Sequence, residues 1–221
     1  MVKKHVKKRL QFLIVFLIAI SATIFYIGWY SNLLTVKKIE VRGNQVVSQE
    51  NILELAQIQP NIQLLRVNVT QTSQRIMTIS QIKNVDIRRG WPATLVIEVV
   101  ERTPLAVTDI PEGRYLIDES GVAYQPVTPE TNLPLVFGSD DQSRAIGVKA
   151  WQSFPAWLQS EVISTTVDNP NAIWFLLTSG RRVEWGNLEK ANEKAAVLKV
   201  LRRMASSTYD VSTPEVPVVK P

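Results

Sequence analysis

Residues 10–30, LQFLIVFLIAISATIFYIGWY, carry no charge and are almost wholly apolar, and this run limits every other assignment in the chain. At about 1.5 Å of rise per residue its 21 residues reach roughly 32 Å, close to the ~30 Å hydrocarbon core of a bilayer. Lys3, Lys4, Lys7, Lys8 and Arg9 precede it and the next charge is Lys37, so the positive-inside rule predicts a cytoplasmic tail over 1–9, a transmembrane helix over 10–30 and everything after it outside the cell. Trp29 and Tyr30 fall where an interfacial aromatic belt would lie. A cleaved secretory signal is the competing reading; its apolar region is usually ~7 to 15 residues and ends in small residues, whereas this run is longer and ends in Tyr26, Ile27, Trp29 and Tyr30. Both readings put the remainder outside.

The net charge of +5 suggests a nucleic-acid binder until it is divided at the apolar run. Five of the 25 basic residues precede that run, which leaves 20 basic against 20 acidic residues after it. The exterior part is formally neutral and has no general electrostatic attraction for phosphate backbones, so nucleic acid is not an expected partner. There is no cysteine, and the single histidine is His5. An exterior without His or Cys holds no Ser-His-Asp triad, no Cys-His pair and no His- or Cys-ligated zinc. A Ser-Lys pair or two carboxylates remain available to an enzyme, with no positive signal for either.

Residues 35–42, TVKKIEVR, alternate as a half-buried strand and end at Gly43-Asn44. Ser48 is placed to cap a helix over 49–57, Pro60-Asn61 breaks it, and a second helix is predicted over 70–80. Strands follow at 82–89 and 94–102, turned by Arg89-Gly90-Trp91-Pro92, with Leu95, Ile97 and Val99 sharing one face. The order strand, helix, helix, strand, strand predicts a three-stranded sheet with two helices on one side.

The segments VKKIEVRGNQVVSQENI, LLRV, VDIRRGWPATLVIEVVERTPLAV and LIDESGVAY resemble the POTRA module and following residues of the bacterial cell-division FtsQ/DivIB family. Val183-x-Trp185-Gly186, Lys194-x-x-Val197-Leu198 and the closing YDVSTPEVPVVKP look like the end of that family's β domain, in the style of its actinobacterial members. The resemblance implies an α+β protein: tail 1–9, transmembrane helix 10–30, POTRA domain 34–102, a mixed β-sheet domain with helices over 103–214, and a short tail 215–221. It also implies a septation scaffold without enzymatic activity or cofactor. Such a protein is a single-pass membrane protein at the division septum, with its C-terminal bulk outside. Its implied partners are FtsB/DivIC-like and FtsL-like single-span proteins, a septal peptidoglycan synthase complex and the lipid bilayer.

Beyond Pro104 short strands are predicted at 105–107, 115–117, 122–124, 133–137, 162–167, 173–178 and 181–185, with Ser179-Gly180 as a hairpin turn and a helix near 144–154. The clearest helix is 188–205, whose Lys190, Lys194, Lys199, Arg202 and Arg203 read as a solvated face or as a contact for anionic lipid. Trp151, Phe154, Trp157 and Leu158 read as core packing rather than a glycan or membrane platform. Asp118-Glu119 and Asp140-Asp141 lack the spacing of a calcium loop.

Two regions are candidate partner sites. Arg88, Arg89 and Trp91 form either a recognition patch or simply a turn. Thr208, Tyr209, Asp210, Val211, Ser212 and Thr213 form a last strand, and because Pro214 and Pro217 lack an N–H the strand is expected at a sheet edge, open to a partner's strand or merely closing the domain. A membrane-anchored cell-wall enzyme using a Ser-Lys dyad or paired carboxylates is the alternative function. A POTRA adaptor for outer-membrane assembly is disfavoured, because no long series of alternating barrel strands follows.

Overall fold

The computed structural model describes residues 2–30, 34–129 and 131–220, with side chains in the first helix described over 12–26. That helix, α1 (Val2–Tyr30), is 29 residues long. Among the described residues no helix is long and apolar enough to cross a membrane. The predicted span extends past the described side chains at both ends, and those of Lys3, Lys4, Lys7, Lys8, Arg9, Trp29 and Tyr30 lie outside them. Within 12–26 the side chains of Phe12, Phe16 and Phe25 are exposed. The chain divides into two compact units between Glu101 and Arg102.

The first unit contains β1 (Lys38–Arg42), α2 (Gln49–Ala56), α3 (Val69–Ile76), β2 (Ile82–Gly90) and β3 (Thr94–Glu101). Its sheet runs β1-β3-β2, with β1 parallel and β2 antiparallel to the central β3. Ser48 caps α2 by accepting from the Asn51 N–H, and Asn68 caps α3 by accepting from the Gln71 N–H, so α3 begins slightly earlier than Thr70. Ile97 and Val99 pack with Ile52, Ala56 and Ile76 in one cluster, and Leu95 packs with Leu64 and Val67 in a second. Fully burying each of the Val, Leu and Ile side chains among these contributes about 1.5–3 kcal/mol.

Two local devices shape the turn after β1. Gly43 has φ +85°, and a Cβ there would lie 2.1 Å from the Val99 carbonyl oxygen, so only glycine fits. The Glu101 carboxylate at the end of β3 accepts from the N–H groups of Gln45, Val46 and Val47, each at 2.9 Å. Burial alone would raise the Glu101 pKa; the three N–H donors outweigh it and hold the carboxyl below its ordinary range.

The second unit is built on a nine-stranded sheet in the order β12-β11-β10-β9-β8-β7-β4-β5-β6. Its strands are β4 (Ala106–Ile110), β5 (Gly113–Ile117), β6 (Ala123–Pro126), β7 (Leu135–Gly138), β8 (Val162–Asn169), β9 (Ala172–Leu177), β10 (Arg182–Gly186), β11 (Thr208–Asp210) and β12 (Val218–Lys220). α4 (Asp141–Ser153) and the short α5 (Ala156–Gln159) connect the parallel pair β7 and β8, and α6 (Ala191–Leu201) connects the parallel pair β10 and β11. Phe154 and Leu158 join Phe175, Trp185, Leu198 and Tyr209 in the main core, with Trp151 and Trp157 packed against it. The predicted aromatic core is present, interrupted at Pro155 between α4 and α5.

Near the start of this unit Asp118 is 1% exposed. It accepts from Arg102 Nη1 at 2.5 Å and from the Ser120 hydroxyl and N–H at 2.6 and 2.9 Å. Burial pushes its pKa up, but Ser120 and Arg102 prevail and hold the carboxyl below the usual range.

Candidate interaction site

The C-terminal edge of the large sheet is assembled on an aromatic cluster. The Phe154 ring lies 4.8 Å from Phe175 and 5.0 Å from Trp185, and the Phe175 and Trp185 centroids are 5.6 Å apart. β10 carries Val183 and Trp185 into this cluster, and β11 is laid parallel to it with Val183 opposite Tyr209. The Tyr209 hydroxyl donates to the Met204 carbonyl at 2.8 Å and accepts from Arg181 at 2.7 Å, which ties the strand to the end of α6. The Val211 N–H continues the ladder by donating to the Glu184 carbonyl at 2.9 Å.

These contacts correct the expected edge. Thr208–Asp210 lies between β10 and β12, and Tyr209 and Val211 are fully buried. The chain does not stop pairing at the prolines. Asp210 accepts from the Ser212 N–H and hydroxyl, the Val216 N–H donates to the Thr213 carbonyl, and the chain reverses so that Val218–Lys220 pairs antiparallel with β11. Residues 218–220, expected to be tail, are therefore the outermost strand of the sheet. Pro214 and Pro217 sit in the reversal, where a missing N–H costs no ladder bond. Two β-branched residues directly after Pro217, Val218 and Val219, were the available signal for this strand.

The hairpin is pinned at both ends. Lys190, itself in a left-handed conformation at the start of α6, pairs with Glu215 in the turn. This pairing raises the Lys190 pKa and lowers that of Glu215. At the other end the Lys220 carbonyl accepts from the Ser206 hydroxyl and from the Ser207 N–H and hydroxyl. On β12 Val218 is 44% exposed.

Lys194 does not lie on the solvated face of α6. It is 1% exposed, and Nζ donates to both the backbone and side-chain oxygens of Asn187, each at 2.9 Å. Trp185 lies beneath it at 5.7 Å, and burial pushes its pKa down. Helical spacing places Lys194 beside the inward Ala195 and Leu198, and only the loop at Asn187 reveals why a cation is tolerated there.

The second candidate site, in the first unit, separates into parts. Arg89 donates to the backbone carbonyls of Leu64 and Val67, both at 2.9 Å, and so holds the loop before α3. Arg88 is paired with Asp86 and Glu98 on the open face. Trp91 is 62% exposed. Arg89 is a structural residue, and Arg88 and Trp91 are the accessible ones.

A small three-stranded module backed by two helices, followed by a large mixed sheet in which β12 is the terminal strand among the described residues, defines a POTRA-plus-β-domain protein. Family models agree in both parts: residues 34–102 match "POTRA domain, FtsQ-type" and residues 106–215 match "Cell division protein FtsQ/DivIB, C-terminal". Curated relatives include the cell division protein FtsQ of Mycobacterium leprae, 31% identical over 191 residues covering 85% of this chain and 56% of the relative. That of Mycolicibacterium smegmatis is 30% identical over 87% of this chain and 59% of the relative, and that of Streptomyces bingchenggensis 30% identical over 86% and 77%. The chain belongs to the FtsQ/DivIB family of cell-division proteins. It spans 56% and 59% of the length of the two mycobacterial relatives. These relatives are named as cell-division proteins, and nothing in the comparisons supports the cell-wall enzyme that the sequence left open.

Proposed function

We propose that this protein is a non-enzymatic septation scaffold that holds other membrane-anchored division proteins outside the cell, and that its main docking element is β12. The observation that carries the reading is the position of Val218–Lys220 at the end of the large sheet, with β11 on one side and, among the described residues, no strand on the other. An open edge of this kind accepts a partner's strand. The segment 208–213 then acts as the buttress of the site: Thr208 and Asp210 pair with Lys220 and Val218, while Tyr209 and Val211 anchor the hairpin in the core. The FtsB/DivIC-like member of the partner set is the strand donor, accompanied by an FtsL-like protein and linked to the septal synthase complex. Arg88 and Trp91 give the POTRA module a separate contact for recruitment.

α1 is the membrane anchor in this reading, with 1–9 cytoplasmic and the two folded units outside, at the division septum. The uncharged run 10–30, the helical backbone through it and the exposed apolar side chains over 12–26 support that assignment. Anchoring also matters energetically. A three-residue strand offers only a few hydrogen bonds at ~1 kcal/mol net each, against the ~8 kcal/mol of a micromolar complex. Two proteins confined to one membrane gain the difference through raised effective concentration and flanking side-chain contacts.

The test is depletion of the protein in cells that have no second copy, followed by complementation with chains carrying a photo-crosslinking residue at Val218 or Lys220. Arrest of septation on depletion, with capture of a short single-span division protein from β12, is the expected result. Normal septation after depletion overturns the scaffold reading.

A further inference from the structure

The turn between β2 and β3 lies at the end of the POTRA sheet where the chain enters it. β1 runs parallel to β3 with Lys38 opposite Thr94, and the Lys37 and Lys38 N–H groups both donate to the Ala93 carbonyl, at 2.8 and 3.2 Å. The turn at Trp91 and Pro92 is therefore tied to the first residues of β1. The short helical turn Leu64–Arg66 is held at the same end: Arg89 donates to the Leu64 and Val67 carbonyls, and the Val36 N–H donates to the Ile62 carbonyl at 2.8 Å. The outward side chains here are apolar or basic. Trp91 and Leu65 are 62% and 38% exposed, and Lys37 and Lys38 are exposed as well. Segments 34–38, 61–68 and 87–95 carry Lys37, Lys38, Arg66, Arg88 and Arg89 and no acidic residue. Glu40, Asp86 and Glu98 lie farther along the strands, each paired with a cation of its own face.

The covalent connection decides what this end faces. α1 ends at Tyr30, and Thr35 is already fixed by its bridge to Gln63. The five steps from Tyr30 to Thr35 reach at most about 18 Å even when fully extended. An anchor in α1 therefore keeps the entry end of the sheet close to the bilayer surface. Tryptophan favours the headgroup layer, with an apolar body and an N–H that stays hydrated, and lysine lays its stem along apolar surface with the ammonium at phosphate level. We infer that this end of the POTRA module seats on the outer surface of the bilayer that holds α1, with Trp91 and Leu65 entering the headgroup layer and Lys37 and Lys38 meeting the phosphates of anionic phospholipid. The inference rests on α1 being the membrane anchor. It also deepens the recruitment contact proposed for Arg88 and Trp91: Trp91 serves that contact by way of the bilayer, fixing the height at which Arg88 meets a membrane-embedded partner. Because α1 already confines the module to the membrane, a few interfacial side chains suffice for the seat.

The experiment uses the full-length chain in living cells, with a photo-crosslinking residue placed singly at Trp91, Leu65 or Val46. Val46 is 81% exposed and sits beside Glu101, at the opposite end of the module. Phospholipid adducts from Trp91 and Leu65, and none from Val46, are the expected result. Combined Lys37→Gln and Lys38→Gln should lower the lipid adducts from Trp91 about three- to thirtyfold, the effect of losing two cations at an anionic surface. Equal lipid labelling from Val46, or none from any position while the chain sediments with membranes, overturns the seat. Protein adducts alone from Trp91 overturn it as well and make the turn a direct partner contact. Lipid labelling indifferent to the two lysine changes overturns the role given to the lysines. Recovery of the chain in the soluble fraction instead removes the anchor reading on which the seat depends.

Discussion

Gly186, the last residue of β10, lies against Ser212 so closely that a Cβ added at 186 would sit 2.8 Å from the Ser212 Cβ. Gly186 also has φ +81°, a conformation that side chains resist. The approach sets how β11 leaves β10 and turns towards β12. Gly186→Ala is expected to cost about 1–3 kcal/mol through strain and overpacking. Hydrogen exchange on the β11 and β12 amides should show the loss concentrated there, with the POTRA amides unchanged.

Tyr209→Phe tests the tie between β11 and α6. Its hydroxyl gives one hydrogen bond to Met204 and receives one from Arg181, and its removal takes the donor from the Met204 carbonyl while Arg181 keeps its bond to the Arg202 carbonyl. A loss of about 1–3 kcal/mol is expected. Tyr209→Ala, which also empties a fully buried ring site, should cost about 3–5 kcal/mol. Urea unfolding followed through β-domain tryptophans separates the two.

The Asp118 pair predicts an acid-sensitive β domain. Its folded pKa lies below the unfolded value, so its contribution is complete above the ordinary carboxylate range near ~3.9 and disappears as pH falls through the folded value. Asp118→Asn should be less stable than the parent at pH 7, with the difference shrinking on acidification below that range. A constant difference from neutral to strongly acid pH would contradict the assignment.

Arg89 and Trp91, neighbours in sequence, should behave oppositely. Arg89→Ala loses two charge-assisted bonds to backbone carbonyls and should destabilise the POTRA module by about 1.5–3 kcal/mol. Trp91→Ala, at an exposed position, should stay within about 0.5 kcal/mol and change only partner capture. Chemical denaturation of the two variants side by side checks both.

The POTRA half was legible because its signals are local. Alternation at Ile39 and Val41 and at Leu95, Ile97 and Val99 gave the strands, and Ser48 gave the start of a helix. The role of Arg89 was not legible, because its acceptors are backbone carbonyls at Leu64 and Val67, which carry no side-chain signature. In the β domain the helix at α6 announced itself by spacing, yet Lys194 was misplaced on its outer face. The edge was displaced by one strand for a related reason. Pro214 and Pro217 end a strand and equally shape a reversal, and only the pairing of Val218–Lys220 with Thr208–Asp210 distinguishes the two.

The parallel pairing of β10 with β11 has a consequence for synthesis. β11 is joined to β10 through α6, whose Leu198 shares a core with Trp185, and β12 pairs with β11. A chain interrupted between residues 187 and 207 therefore presents β10, not β12, as the outermost strand on that side, and lacks the edge by which we propose it is incorporated. Incorporation through β12 thus acts as a check on completion: a truncated or half-folded chain anchored in the same membrane offers a different rim and does not occupy the place of a finished one.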